Sequence, residues 1–113
     1  MKTVILASDL DNTLLYTTRH IPADVPRQCV EYYQDQPHGF FTDETIARLR
    51  QLAPFVQLVP VTTRSMAQYR RITWPSDLKP RLALVANGAI LLHNEQEDAI
   101  WRGESSRLVE PFR

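Results

Sequence analysis

The chain has a single cysteine, Cys29, so no internal disulfide framework holds it together, and a lone thiol fits a reducing compartment. It also has no long apolar run. Stretches such as residues 4–7 and 89–92 are far too short to cross a bilayer, and Met1-Lys2 opens directly into a strand-like segment, so neither a membrane span nor a signal peptide is read. Charge of one sign is missing too: 13 Lys and Arg stand against 13 Asp and Glu, and the basic residues are scattered. That balance gives no electrostatic footprint for nucleic acid or an anionic membrane, and together these features predict a cytoplasmic protein. Internal repeats and low-complexity tracts are absent. What is present, 43% apolar and 23% charged residues in 113, suits one ordinary domain. A chain of this length buries roughly 65% of its unfolded surface, which excludes disorder and a mini-protein scaffold.

Residues 3–8 (TVILAS) are apolar without alternation, the pattern of a strand buried on both faces of a parallel sheet. The polar residues 9–13 (DLDNT) follow as a loop at its carboxyl edge. Between residues 14 and 41, segments 29–33 and 39–41 flank a turn at 34–37 and predict a β-hairpin. Thr42 reads as an N-cap, with Asp43 and Glu44 favouring the positive end of a helix whose stripe is Ile46, Leu49, Leu52 and Ala53; Pro54 ends it. Residues 55–61 (FVQLVPV) form a second strand with Pro60 near its end. Ser65 and Gln68 make a capping box that opens a short helix carrying Met66, Tyr69 and Ile72, stopped by Trp74-Pro75. Residues 81–86 form a third buried strand, Asn87-Gly88 a turn, and residues 89–93 and 99–101 a terminal hairpin. The order predicts an α/β fold: half of a doubly wound, Rossmann-like parallel sheet with crossover helices.

Three strand ends carry the chemistry. Asp9 and Asp11 flank Leu10 directly after the first strand, at the edge where open α/β sheets bind ligands. Such a pair suits magnesium, which takes hard oxygen ligands from one or two carboxylates plus substrate phosphate. An aspartate can also accept a phosphoryl group while its neighbour moves protons. The plainer alternative is a solvated Asx-rich turn. Strand two ends in Thr62-Thr63-Arg64 and a capped helix, where hydroxyl, amides and guanidinium could face a phosphate; alternatively the threonines cap the strand and Arg64 is solvated. Asn87-Gly88-Ala89 ends strand three and by itself is a turn. His20, His38 and His93 lack paired spacing. Cys29 reads as a structural thiol, Arg70 and Arg71 as a solvated helix face, and Trp74 and Trp101 as packing residues.

Taken together, these strand ends resemble the haloacid dehalogenase superfamily of phosphohydrolases. Asp9-Leu10-Asp11-Asn12-Thr13-Leu14-Leu15 looks like its first motif, in which the first aspartate is the nucleophile and the second the general acid/base. Thr62 stands where the second motif places a phosphate-binding Ser or Thr. The segments 62–65 and 86–89 resemble the subfamily with an α/β cap between the second and third motifs. Residues 59–65 with 68–72 are similar to superfamily hydrolases found beside tellurium-resistance-type genes in bacteria. The resemblance implies magnesium held by Asp9 and Asp11, a phosphate bound by Thr62, Thr63, Arg64 and Asn87, and a squiggle and flap at residues 14–41. Thr63 departs from the glycine common after the second-motif threonine, and Asn12 from the glycine or arginine often found after the second aspartate.

The family's third motif supplies a lysine and its fourth further acidic magnesium ligands. Lys2 and Lys79 are the only lysines here, and neither stands in such a context. Residues 103–113 read as the start of the cap, so residues 1–113 are expected to be one incomplete core domain, with little or no turnover and weak magnesium affinity by itself. The leading expectation is magnesium-dependent hydrolysis of a small phosphomonoester. The competing one is an inactive fragment, or half of a split protein, that self-associates or binds a complementing chain. A response-regulator receiver fits less well, because its phosphoacceptor follows the third strand.

Overall fold

The computed structural model describes residues 4–101. The expectations for Lys2, Thr3 and the cap start at residues 103–113 lie outside the described residues. Strand β1 (Val4–Asp9) runs parallel to β5 (Val56–Val61) in continuous register from Val4 opposite Val56 to Asp9 opposite Val61. Strand β5 is parallel to β6 (Leu82–Val85), with Val61 opposite Leu84. From there the sheet turns antiparallel through β7 (Ile90–His93) and β8 (Gln96–Glu97), giving the order β1-β5-β6-β7-β8. The fold is therefore mixed α/β, with few helices and a mixed sheet.

A second sheet, ordered β2-β4-β3, is built from β2 (Tyr16–Thr17), β3 (Arg27–Tyr33) and β4 (Gln36–Thr42). The expected hairpin is there, but its turn is only Gln34-Asp35, both at positive φ (52° and 62°). Two consecutive left-handed residues match the twist of the flanking strands. Gln36 and Pro37 consequently belong to β4, Pro37 standing opposite Tyr32.

The helices that follow Thr42 and Ser65 begin as the sequence predicts. In α1 (Asp43–Leu52) the Thr42 side chain accepts from the Thr45 amide at 3.0 Å. In α2 (Met66–Arg70) Ser65 and Gln68 form the reciprocal capping box. Ile46 and Leu49 are buried, whereas Leu52, expected in the same stripe, is 42% exposed near the end of the helix.

Strand partners share a face, and side chains alternate along each strand. Leu58, Ala83, Val85 and Leu92 thus fall on one face, and all belong to or border the core with Ile46, Leu49, Tyr69, Ile72 and Trp74. The hairpin sheet joins that core through Val30 and Phe41, whose ring lies 5.0 Å from that of Trp74. A backbone bond from Thr73 N–H to the Val30 carbonyl and a bridge between Glu31 and Ile72 tie β3 to the exit of α2.

Two expectations are corrected. Strand β1 is not buried on both faces: Val4 is 55% and Ile5 64% exposed, because β1 is an edge strand, paired only with β5 among the described residues. An unalternating apolar run reports a preference for burial; it does not supply the neighbour. Residues 99–101 are not a strand either. The β7 strand pairs with β6 and, across Asn94-Glu95, with β8, since both turn residues adopt positive φ (51° and 67°) and close a two-residue hairpin. Trp101 instead caps back, its amide donating to Asp98 Oδ1.

Phe41 has no exposed surface and joins the two sheets. Phe41→Ala is expected to cost about 3–5 kcal/mol, read as a lower urea midpoint. A loss below about 1 kcal/mol, well under that range, would show that the hairpin sheet is not part of the cooperative core.

Candidate active site

The loop after β1 is shaped by two buried leucines. The Leu10 carbonyl accepts from the amides of Thr13, Leu14 and Leu15, and the Asn12 amide donates to Leu15 O at 2.7 Å, while Leu10 and Leu15 themselves are each 1% exposed. With Leu10 turned inward, Asp9 and Asp11 on either side of it remain at the surface. Asn12 holds φ at 64°, a conformation asparagine tolerates better than most side chains.

Register brings the other strand ends alongside. Asp9 is opposite Val61, so Thr62 begins the neighbouring loop on the same carboxyl edge. Thr62 is buried; its amide donates to Leu84 O, its carbonyl accepts from the Asn87 amide, and its Oγ1 accepts from the Arg64 amide at 3.1 Å. The hydroxyl proton of Thr62 is left to donate. Ala86 N–H donates to the Arg64 carbonyl at 2.7 Å, so the loops after β5 and β6 are stitched together. Ala86 and Asn87 both take positive φ there, and Asn87 and Thr63 are exposed. Asp9, Asp11, Thr62, Thr63, Arg64 and Asn87 thus share one edge.

Arg64 does not lie as the sequence reading placed it. Its side chain is one-tenth exposed and faces two carboxylates rather than open phosphate-binding space. Nε donates to Asp11 Oδ2 at 2.9 Å and Nη2 to Asp11 Oδ1 at 2.9 Å. On the far side, Nη1 reaches Glu31 Oε2 at 2.6 Å and Nη2 reaches Glu31 Oε1 at 3.0 Å, with Gln68 O taking a further Nη1 bond. All five guanidinium N–H groups are engaged. Arg71, expected on a solvated helix face, also donates from Nε to Glu31 Oε2 at 3.2 Å.

Glu31 is the residue that sequence reasoning missed. Simple alternation places Val30 inward and Glu31 outward, yet both are buried, because the register of β3 shifts on either side of Glu31. The opposing Gly39 makes room: a Cβ there would sit 2.6 Å from Glu31 Oε1. A glycine facing a glutamate inside a hairpin was the available signal. Burial by itself would raise the Glu31 pKa, but the hydrogen bond and charge of Arg64, the hydrogen bond from Arg71 and the charge of His38 outweigh it and lower it. For Arg64, burial works against the cation, and its hydrogen bonds to Glu31 and Asp11 together with their negative charges overcome it and raise its pKa.

Asp9 makes no side-chain hydrogen bond or ion pair among the described residues; Ser8 Oγ donates only to its backbone carbonyl. Lys79 pairs with Glu95 at 3.0 Å. No group of three or more His, Cys, Asp or Glu is placed to hold a metal among the described residues. A cavity of about 360 Å³ opens elsewhere, between Leu6, Leu49, Leu58 and Leu78, and includes none of the strand-end residues. No family model matches the chain, and no curated protein matches it.

A carboxylate with a lowered folded pKa stabilises the protein above its unfolded pKa, near 4.5, and that stabilisation is lost as pH falls through the folded value. Urea unfolding at about pH 6 and about pH 3 should therefore show Glu31→Gln losing less stability on acidification than the wild type. Equal losses would mean that Glu31 is not ionised in the fold.

Proposed function

We propose that this edge is the active site of a magnesium-dependent phosphohydrolase of the haloacid dehalogenase type, acting on a small phosphomonoester through an aspartyl phosphate on Asp9. The reading rests above all on one observation: an Asp9 at the end of β1 that has no side-chain partner among the described residues, in register with the start of the Thr62 loop, beside an Asp11 whose carboxylate is oriented by a guanidinium. In the proposed reaction an Asp9 oxygen attacks phosphorus while the ester oxygen leaves with a proton from Asp11. Water then attacks the aspartyl phosphate, giving its proton to Asp11, and phosphate departs from a restored Asp9. The Thr62 hydroxyl and Asn87 would donate to the phosphate oxygens from the two stitched loops, with Thr63 beside them.

The donor set suits magnesium bound through few protein ligands, since Asp9 is exposed and its carboxylate has no partner among the described residues. Asp9 would hold the ion with substrate and water oxygens, and Asp11 would join through its carboxylate only by yielding part of its pairing with Arg64. Bound there, magnesium supplies neutralisation of the negative charge that Asp9 meets on the phosphate. No described helix is long and apolar enough to cross a membrane, and the free thiol of Cys29 fits a cytoplasmic setting.

The exposed edge of β1 favours a second reading, in which the chain pairs with another copy or a complementing chain. Concentration-dependent mass by light scattering would support it, and a monomer at all concentrations would count against it.

Beryllofluoride with magnesium mimics an aspartyl phosphate, so fluorine NMR should show bound resonances with the wild type and none with Asp9→Asn. A bound signal that survives Asp9→Asn, or no signal with either protein, would overturn the proposal.

A further inference from the structure

Several features of the hairpin converge on one carboxylate. The register shift in β3 turns Glu31 inward, Gly39 leaves room for it, and the bridge to Ile72 fixes its backbone against the exit of α2. Its two oxygens grip both Nη atoms of Arg64, with Arg71 adding a third bond. A buried carboxylate of this kind could simply dock the hairpin, and an apolar contact would dock it without the cost of desolvating charge. The geometry offers more. With one edge of the guanidinium held by Glu31 and Gln68 O, the remaining Nε and Nη2 edge is aimed at Asp11.

We infer that Glu31 is a positioning residue for Asp11, acting through Arg64; this rests on the phosphohydrolase reading above. Glu31 has two effects. It keeps the planar Nε and Nη2 fork turned so that both Asp11 oxygens are fixed, which sets the direction in which Asp11 passes a proton to the leaving oxygen. It also occupies the cation: without Glu31, the guanidinium has free donors and surplus charge, and a phosphate dianion becomes a competing partner for it. Arg64 then orients substrate at the expense of orienting Asp11.

A leaving group that departs easily as an anion needs no proton, whereas an alkoxide does. The test therefore compares single-turnover release from 2,4-dinitrophenyl phosphate and from an alkyl phosphate, with protein in excess, for wild type, Asp9→Asn, Glu31→Gln and Glu31→Asp. Glu31→Gln is expected to lose on the order of 10- to 100-fold on the alkyl ester and little on the dinitrophenyl ester. It should also bind inorganic phosphate more tightly than the wild type, whereas a merely loosened fold would weaken binding and slow both esters alike. Glu31→Asp should recover part of the alkyl rate. If Glu31→Gln does not fold, Gly39→Ala is the second variant: its Cβ, at 2.6 Å from Glu31 Oε1, displaces the carboxylate without changing charge and should show the same selective loss on the alkyl ester. Equal losses on the two esters, or none, overturn this inference while leaving the phosphohydrolase reading standing. Release that does not depend on Asp9 overturns that reading and this inference with it, and no release at all overturns this inference.

Discussion

The Arg64 guanidinium between Asp11 and Glu31 is the contact on which the arrangement of the edge depends. Three separate pieces of chain meet there: the loop after β1, the start of α2 and the hairpin strand β3. Each carboxylate is held by two parallel N–H bonds, a geometry that a lysine could not reproduce. The pairing is expensive to bury, since both Glu31 and Arg64 are largely withdrawn from water. It persists because every donor is used and because Arg71 shares the load on Glu31. Removing Arg64 would leave the buried Glu31 carboxylate with only the partly exposed Arg71 as its cation.

The elements that were legible in the sequence are those governed by local chemistry. Thr42, Ser65 and Gln68 announce helix starts because a side-chain oxygen at an N-cap satisfies amides that have no other partner, and the structure uses each in that way. The three strand ends at Asp9, Thr62 and Asn87 were legible because parallel strands joined by crossovers share a carboxyl edge. Long-range facts were hidden. Nothing in TVILAS states how many neighbours the strand has, and among the described residues β1 stands at an edge. The pairing of β7 with both β6 and β8 hinged on Asn94 and Glu95 entering the left-handed region, which Glu95 does not advertise. Glu31 was hidden for the same kind of reason: a bulge breaks the period-two pattern from which orientation is inferred.

Arg64 shows how residue type and residue role separate. An arginine following a threonine at a strand end has the chemistry of an anion ligand, and here it does bind anions; they are carboxylates of its own chain. Sequence proximity to a strand-end hydroxyl cannot distinguish a ligand to an incoming anion from a ligand to the protein's own carboxylates. The distinction comes from the opposite side of the guanidinium, supplied by a strand more than thirty residues earlier in the chain.

Charge then bears on the cation requirement of the proposed reaction. Around the edge, Asp11 and Glu31 pair with Arg64 and Arg71 while Asp9 pairs with neither, so among these five side chains carboxylates outnumber guanidiniums by one before any anion arrives. Both arginines are already paired, which leaves them little attraction for a third anion. A phosphate dianion approaching Asp9 would meet net repulsion from these groups, relieved only by hydrogen bonds from neutral donors such as the Thr62 hydroxyl. Preorganised positive charge is ordinarily the largest contribution to phosphoryl transfer. In the proposed chemistry that charge must come from outside these five side chains. In that proposal the Asp9 carboxylate, which makes no side-chain hydrogen bond or ion pair among the described residues, is where a divalent cation would cancel the repulsion.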